Sequence, residues 1–279
     1  MTTLIFGTGW LGQRLHRDLR THLNGARIDE PLNVHNVLAR HRPTTVINAA
    51  GKNGHPNVDW CESHRLETAR SNTVGPLVLA EECAHIGARL IHLGSGCIFQ
   101  GEGADEGSPA APSSYYTHTK YAADLVLKDL PHVAIVRLRM PFDEVPHPRN
   151  LITKLAGYSR VINPKNSLTS VTDFVHVIRE LILRPTASGI FHAVNPGAVS
   201  HWEILALYRE LVDPAHAADF IELGELYSLG LAQAPRSNAV IQNTRLPALG
   251  IHMRPVLDAL RADLTEYARH WRAAPNLQT

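Results

Sequence analysis

The sequence predicts an α/β protein, a doubly wound parallel sheet wrapped by helices, with a smaller lobe towards the C-terminus. Short apolar runs alternate with stretches of helical periodicity through the first half of the chain, the pattern of strands covered by helices. The first run, Thr3 to Phe6, leads straight into Gly7-Thr8-Gly9-Trp10-Leu11-Gly12 and then an apolar stripe. A Rossmann-type βα unit presents its phosphate-binding turn in that order. At 279 residues the chain is long enough for one large domain and a lobe.

Taken in order, Thr3 to Phe6 reads as the first strand, and Leu11, Leu15, Leu19 and Leu23 recur every fourth residue as the core-facing stripe of the first helix. The second strand is poorly defined, and the segment before Asn48 is abbreviated. A strand at Thr45 to Ala49, a helix from about Pro76 to His85, a strand at Arg89 to Leu93, a helix from Ser114 to Leu130 and a strand at Val133 to Leu138 follow. Pro141, Pro146 and Pro148 then break the pattern as the chain leaves the sheet. A helix from Val171 to Leu183 and a strand from Gly189 to Val194 mark its return. His201 to Val212 and Pro255 to Trp271 have helical spacing, the latter with Leu257, Leu260, Leu264 and Trp271 along one face. This divides the chain into a dinucleotide-binding part, 1–148 with 168–196, and a substrate lobe, 149–167 with 197–279.

Charge narrows the partners. With 27 Lys+Arg against 26 Asp+Glu, no long-range field draws the protein to nucleic acid or to an anionic membrane, which leaves small molecules. Cys61, Cys83 and Cys97 lack disulfide or metal spacing, as expected in a reducing compartment. The N-terminus has no basic leader, and no apolar run approaches the ~18 residues of a membrane span, so a cytoplasmic protein is expected. The 17 histidines are scattered, with no His-Glu-x-x-His pair; no metal is expected.

In the glycine motif, Gly7 permits the tight turn, Gly9 lets backbone approach a pyrophosphate, and Gly12 lets helix and strand pack closely. The helix start at Trp10 and Leu11 adds free N–H groups. A bare βα turn is the alternative, weakened by the motif's position between strand and stripe. Asp29 lies near where an acid would hold the adenosine ribose, but NAD versus NADP is not readable from charge here. Asn48-Ala49-Ala50-Gly51, ending the next strand, puts small residues where a cofactor would be lined.

Tyr116-x-x-x-Lys120 shares one helix face. An ammonium beside a phenol lowers the phenol's pKa and makes it usable as a proton donor to a carbonyl receiving a hydride. Ser95, just past a strand end, would hydrogen-bond the same oxygen. Glycine turn, serine and Tyr/Lys helix in that order resemble the extended short-chain dehydrogenase/reductases. A closer resemblance covers nearly the whole chain. Gly51-Lys52-Asn53-Gly54-His55-Pro56-Asn57-Val58-Asp59-Trp60-Cys61-Glu62, Gly96-Cys97-Ile98-Phe99, Arg139-Met140-Pro141, Pro148-Arg149-Asn150, Asn195-Pro196-Gly197 and Ala234-Pro235-Arg236-Ser237-Asn238 are similar to the nucleotide-rhamnose synthase/epimerase-reductases.

That resemblance implies conversion of UDP- or dTDP-4-keto-6-deoxyglucose to nucleotide-linked L-rhamnose by inversion at carbons 3 and 5 and reduction at carbon 4. It further implies NADPH, with NADH as the alternative, a homodimer, and a separate 4,6-dehydratase upstream. Both halves of the reaction place negative charge on the carbon 4 oxygen, so Ser95, Tyr116 and Lys120 can serve both. Cys97, two residues past Ser95, would be a base if its thiol were acidified, and Lys154 the complementary acid; the resemblance carries these roles. A small buried hydrophobe is the commoner fate of a free cysteine, and a solvated charge that of a helical lysine. The expected cofactor set is Gly7, Gly9, Trp10, Leu11, Gly12, Asn48, Ala49, Ala50, Gly51, Tyr116, Lys120 and Met140. The substrate set is Asn53, His55, Asn57, Cys97, Arg149, Asn150 and Arg236, the last a bidentate clamp for the diphosphate. A 4-ketoreductase alone, in which Cys97 and Lys154 only shape the pocket, is the alternative function.

Overall fold

A computed structural model describes residues 2–273. Six strands form its centre: β1 (Thr3–Phe6), β2 (His22–Asn24), β3 (Thr45–Asn48), β4 (Arg89–Ser95), β5 (Val133–Leu138) and β6 (Gly189–His192). All pair in parallel, in the order β6-β5-β4-β3-β1-β2. Parallel sheets bury both faces, and here Ile5, Ile47, Ile91 and Val136 enter one core while Leu4, Val46, Leu90 and Ile135 enter the other. The first face is covered by α1 (Trp10–Leu19) and, after an excursion, α6 (Val171–Ile182). The second is covered by α2 (Pro31–His41), α3 (Gly75–His85) and α4 (Tyr115–Leu127). Strand order reverses between β1 and β3, so a crevice opens beyond their carboxyl ends, where doubly wound sheets bind ligands.

A third apolar cluster gathers Phe142, Ile152, Leu155 and Val161 with Ile204, Leu205, Tyr208, Leu260, Leu264 and Tyr267. It joins α5 (Leu151–Ala156), α7 (His201–Leu211) and α8 (Val256–Ala273). Two short parallel pairings add to it, the first within this region and the second tying it to the segment that follows β4. Arg160–Ile162 pairs with Asp219–Ile221, and Gly101–Ala104 with Ala239–Ile241.

Four expectations need correction. Leu23 is not on α1, because Arg20 takes a left-handed conformation, φ 51°, and caps the helix; Leu23 then sits in β2, a three-residue strand too short to show a pattern. Leu257 is 49% exposed, and α8 buries Val256, Ala259 and Tyr267 beside Leu260 and Leu264 instead. Helical structure begins well before Pro76, at Arg65, and passes through a π turn at Arg70–Val74. The last helix also runs past Trp271 to Ala273. Among the described residues no helix is long and apolar enough to cross a membrane.

Candidate functional site

The crevice beyond β1 and β3 opens into a cavity of about 740 Å³. Its near wall is built by the glycine turn. Gly7 has φ 108°, and a Cβ there would lie 2.4 Å from the Ala50 nitrogen. A Cβ on Gly12 would lie 1.8 Å from the Gly7 carbonyl oxygen, whereas a Cβ on Gly9 would meet nothing within 4 Å. The first and third glycines therefore allow strand, helix and the Ala49-Ala50 turn to close up, and the second faces open space. Gly9 caps α1 without a side-chain partner, and the first turn has no acidic residue, so the N-terminal N–H groups are left for an anion. This cradle fits a dinucleotide pyrophosphate. Trp10, Leu11, Ala49, Ala50, Gly51 and Met140 line the cavity beside it, with Trp10 stacked 5.3 Å from His147.

The middle of the cavity is set by β4 and α4. Ser95 ends β4, and its hydroxyl accepts the Cys97 N–H at 3.2 Å. Ser114 and Thr117 form a capping box at the start of α4, fixing where Tyr116 and Lys120 emerge one turn apart. Tyr116 lies beside Ser95, whose hydroxyl works against the upward push on the phenol. Its phenol is pushed up, by burial first and by Cys97 next, so it keeps its proton at neutral pH. The expected activation of the phenol by Lys120 is therefore not what the chain displays. Lys120 instead donates to the Leu93 carbonyl at 2.7 Å and lies 3.3 Å from His92 Nε2. Burial pushes Lys120 down to about 8.

The far end is cationic. Lys52, Lys120, Arg149, Lys154, Arg160 and Arg236 line the cavity, and among the described residues no carboxylate does. In a protein of formal net charge +1 this concentration of cations suits polyanionic ligands. Cys97, half-buried, and Lys154 of α5 face the same space. Burial, then Arg149, then Arg236 push Lys154 down. Arg149 is hydrogen-bonded to the Asn53 side chain. Arg236 forms a fork with Asp59, 2.7 and 2.9 Å, so its guanidinium is preset by a residue 177 positions away. Asp59 is held below the usual carboxylate range by Arg236 and the Ala234 N–H, against the upward push of burial.

Other expected site residues stand apart from the cavity wall. Gly7 and Gly12 lie behind it as packing positions. Asn48 is fully buried and bonds His92 and the Ala50 N–H. His55 is exposed and does not line the cavity, whereas Asn53 and Asn57 do. Asn150 is fully buried: its Oδ1 caps the Ile152 N–H and its Nδ2 donates to the Asp143 and Val145 carbonyls. Its amide has no free valence for a substrate. Asp29 is gripped by Arg27, 2.7 and 3.2 Å. Sequence reading missed Asn72, which reaches the cavity from the π turn and clamps the Lys52 backbone at 2.7 and 2.8 Å. It also missed Tyr158 and Leu226. π turns often mark functional positions, but none is visible in composition.

A family model described as the RmlD substrate binding domain matches residues 1–218. The chain is 37% identical over 260 residues to a bifunctional dTDP-4-dehydrorhamnose 3,5-epimerase/dTDP-4-dehydrorhamnose reductase of Arabidopsis thaliana, covering 87% of this chain and 85% of that one. It is 34% identical to a trifunctional UDP-glucose 4,6-dehydratase/UDP-4-keto-6-deoxy-D-glucose 3,5-epimerase/UDP-4-keto-L-rhamnose-reductase of the same plant, and spans 95% of itself but 41% of that relative. The crystal structure of a UDP-rhamnose synthase from Acanthamoeba polyphaga mimivirus superposes with a TM-score of 0.88 at 29% identity, covering 95% of this chain and 99% of that one.

Proposed function

We propose, on the premise that this chain belongs to the RmlD substrate-binding-domain family, that it converts a UDP- or dTDP-linked 4-keto-6-deoxy-D-glucose to the L-rhamnose nucleotide. It inverts carbons 3 and 5 and reduces carbon 4. The observation that carries this is one cavity in which Ser95, Tyr116, Lys120, Cys97 and Lys154 meet between a pyrophosphate cradle and a cluster of cations. Residues 1–148 with 168–196 hold the cofactor, and 149–167 with 197–279 hold the sugar nucleotide.

The cradle of Gly7, Gly9 and Gly12 with the start of α1 would hold a nicotinamide dinucleotide, which when bound supplies the hydride. NADPH is the favoured form, because Asp29, the acid placed to select the unphosphorylated ribose, is already gripped by Arg27. Ser95 and the protonated Tyr116 steady the carbon 4 oxygen, and Tyr116 delivers a proton to it as it becomes a hydroxyl. The same donors stabilise the enolate formed when a proton leaves carbon 3 or carbon 5. Cys97 takes that proton, and Lys154, whose ammonium burial and two arginines make a readier donor, returns one from the other face. Arg236 and Arg149 hold the diphosphate.

The 4-keto sugar is supplied by a separate 4,6-dehydratase, the activity that the trifunctional plant relative carries in addition. Exposed Leu66, Val74, Leu125 and Val126 on neighbouring helices support a homodimer. Free cysteines support a cytoplasmic setting.

Incubation of the protein and NADPH with UDP- and dTDP-4-keto-6-deoxyglucose in deuterated water, read by NMR, tests the reading. Deuterium at carbons 3 and 5 of a rhamnose product is expected. Reduction only of a ketone already inverted at both carbons would leave a 4-ketoreductase instead.

A further inference from the structure

We infer that Asn48 and His92, neither of which lines the cavity, loosen the hold of Lys120 on its proton: by a fixed order of donors they present an N–H to its Nζ in the ligand-free chain. The inference deepens the functional reading above, since Lys120 belongs to the reacting set proposed there.

Asn48 ends β3 and stands directly opposite His92 of β4 in the parallel ladder, and both are fully buried. The Ala50 N–H donates to Asn48 Oδ1 at 3.0 Å. That contact fixes which way the amide points, because Nδ2 in its place would set donor against donor. Nδ2 therefore faces His92 Nδ1, 3.0 Å away, and Nδ1 must accept. Burial, then Lys120, hold the imidazole pKa well below its usual value, so His92 is neutral and carries its one proton on Nε2. Nε2 lies 3.3 Å from Lys120 Nζ. An ammonium there would meet N–H with N–H. An amine accepts from Nε2–H and still donates to the Leu93 carbonyl at 2.7 Å.

The other charged or titratable neighbours are Asp124 and Tyr116 on α4 and Arg137 on β5. Asp124 favours the ammonium, but its carboxylate is itself paired with Arg137 Nε at 2.8 Å. Burial of Lys120 acts in the same direction as the His92 N–H and outweighs Asp124. The Tyr116 phenol, pushed up by burial and then by Cys97, remains un-ionised and enters the reaction as an acid. His92 and Asn48 are thus positioning residues that act through Lys120.

The test needs no turnover. The chain has five lysines, Lys52, Lys120, Lys128, Lys154 and Lys165, so protein labelled with 13C at lysine Cε gives few resonances, and Lys120 is assigned by its loss in Lys120→Arg. Its titration midpoint in the ligand-free protein is expected near pH 8, more than two units below the ordinary lysine value of about 10.4. Long-range 15N correlation at pH 7 should show His92 protonated on Nε2. In Asn48→Asp the new carboxylate accepts from Nδ1–H, frees the Nε2 lone pair for an ammonium, and should raise the Lys120 midpoint by a unit or more. An Nδ1–H tautomer in the unaltered protein overturns the inference, as does an ordinary Lys120 midpoint. An unmoved midpoint in Asn48→Asp of native circular dichroism does the same. If the tautomer and midpoint are as expected but neither sugar nucleotide turns over, the functional reading fails and this inference stands.

Discussion

Because Tyr116 holds its proton and lies against Ser95, removing its hydroxyl takes away the proposed proton donor and leaves the cavity's shape intact. Tyr116→Phe is expected to lower ketone reduction by roughly 10²–10⁴-fold, followed by loss of NADPH absorbance, with NADPH affinity unchanged in a fluorescence titration. Cys97→Ser separates the two halves of the reaction. Deuterium exchange at carbons 3 and 5 should fall far more than reduction of a pre-inverted ketone; equal loss of both would remove the assigned division of labour. That these residues would meet in one cavity was legible in the sequence because each sits at a fixed offset from a strand end or along one helix face. Asn150 and Asn48 were not. An asparagine serves equally well as a ligand contact or as a cap for buried backbone, and only neighbours distant in sequence, such as Asp143 or His92, decide between the two.

At the level of elements, the glycine turn separates packing from binding. Gly12→Ala drives a methyl into the Gly7 carbonyl, and overpacking of this kind costs about 1–3 kcal/mol, so a lower melting temperature and weaker cofactor binding are both expected. Gly9→Ala meets nothing in the protein and should leave melting nearly unchanged while still weakening the cofactor. Thermal melts with and without NADPH check the contrast. The strands that read correctly, β1, β3, β4 and β5, are buried on both faces, and such strands show as continuous apolar runs. Edge strand β2 escaped because none of its three residues is buried and Leu23 happened to continue a four-residue leucine spacing. The π turn bearing Asn72 left no local signature at all.

On the scale of the molecule, a polar junction joins α1 to the segment leaving the sheet. Arg14 reaches Glu144 at 2.8 Å and Asp143 at 3.4 Å. Burial outweighs Arg14 and pushes Asp143 up to about 6, above the roughly 3.9 of an unfolded chain. The folded state then binds more protons than the unfolded state between those values, so this group's contribution to stability falls as pH rises from about 4 to 6. Asp143→Asn should flatten that decline by up to about 1.4 kcal/mol per pH unit, measured as urea midpoints at pH 4.5, 5.5 and 6.5. An unchanged slope would mean that Asp143 is ionised throughout. A contact such as Asp59 with Arg236 could be approached from sequence only as two separate polar motifs, since nothing local couples positions so far apart. Net charge likewise concealed the cations gathered in one cavity.

Arg139 is fully buried, and its two terminal nitrogens donate to neutral oxygens alone, the Gly96 carbonyl, the Asn166 side chain, and both the hydroxyl and carbonyl of Ser237, while its Nε has no partner. One side chain thereby rivets the turn before Cys97, a lobe strand and the arm carrying Arg236. By contrast, Leu223–Ser228 buries none of its residues although Leu226 reaches the cavity. Re-aiming this scaffold at another sugar nucleotide should therefore begin at that loosely attached rim, with position 139 left untouched as the keystone.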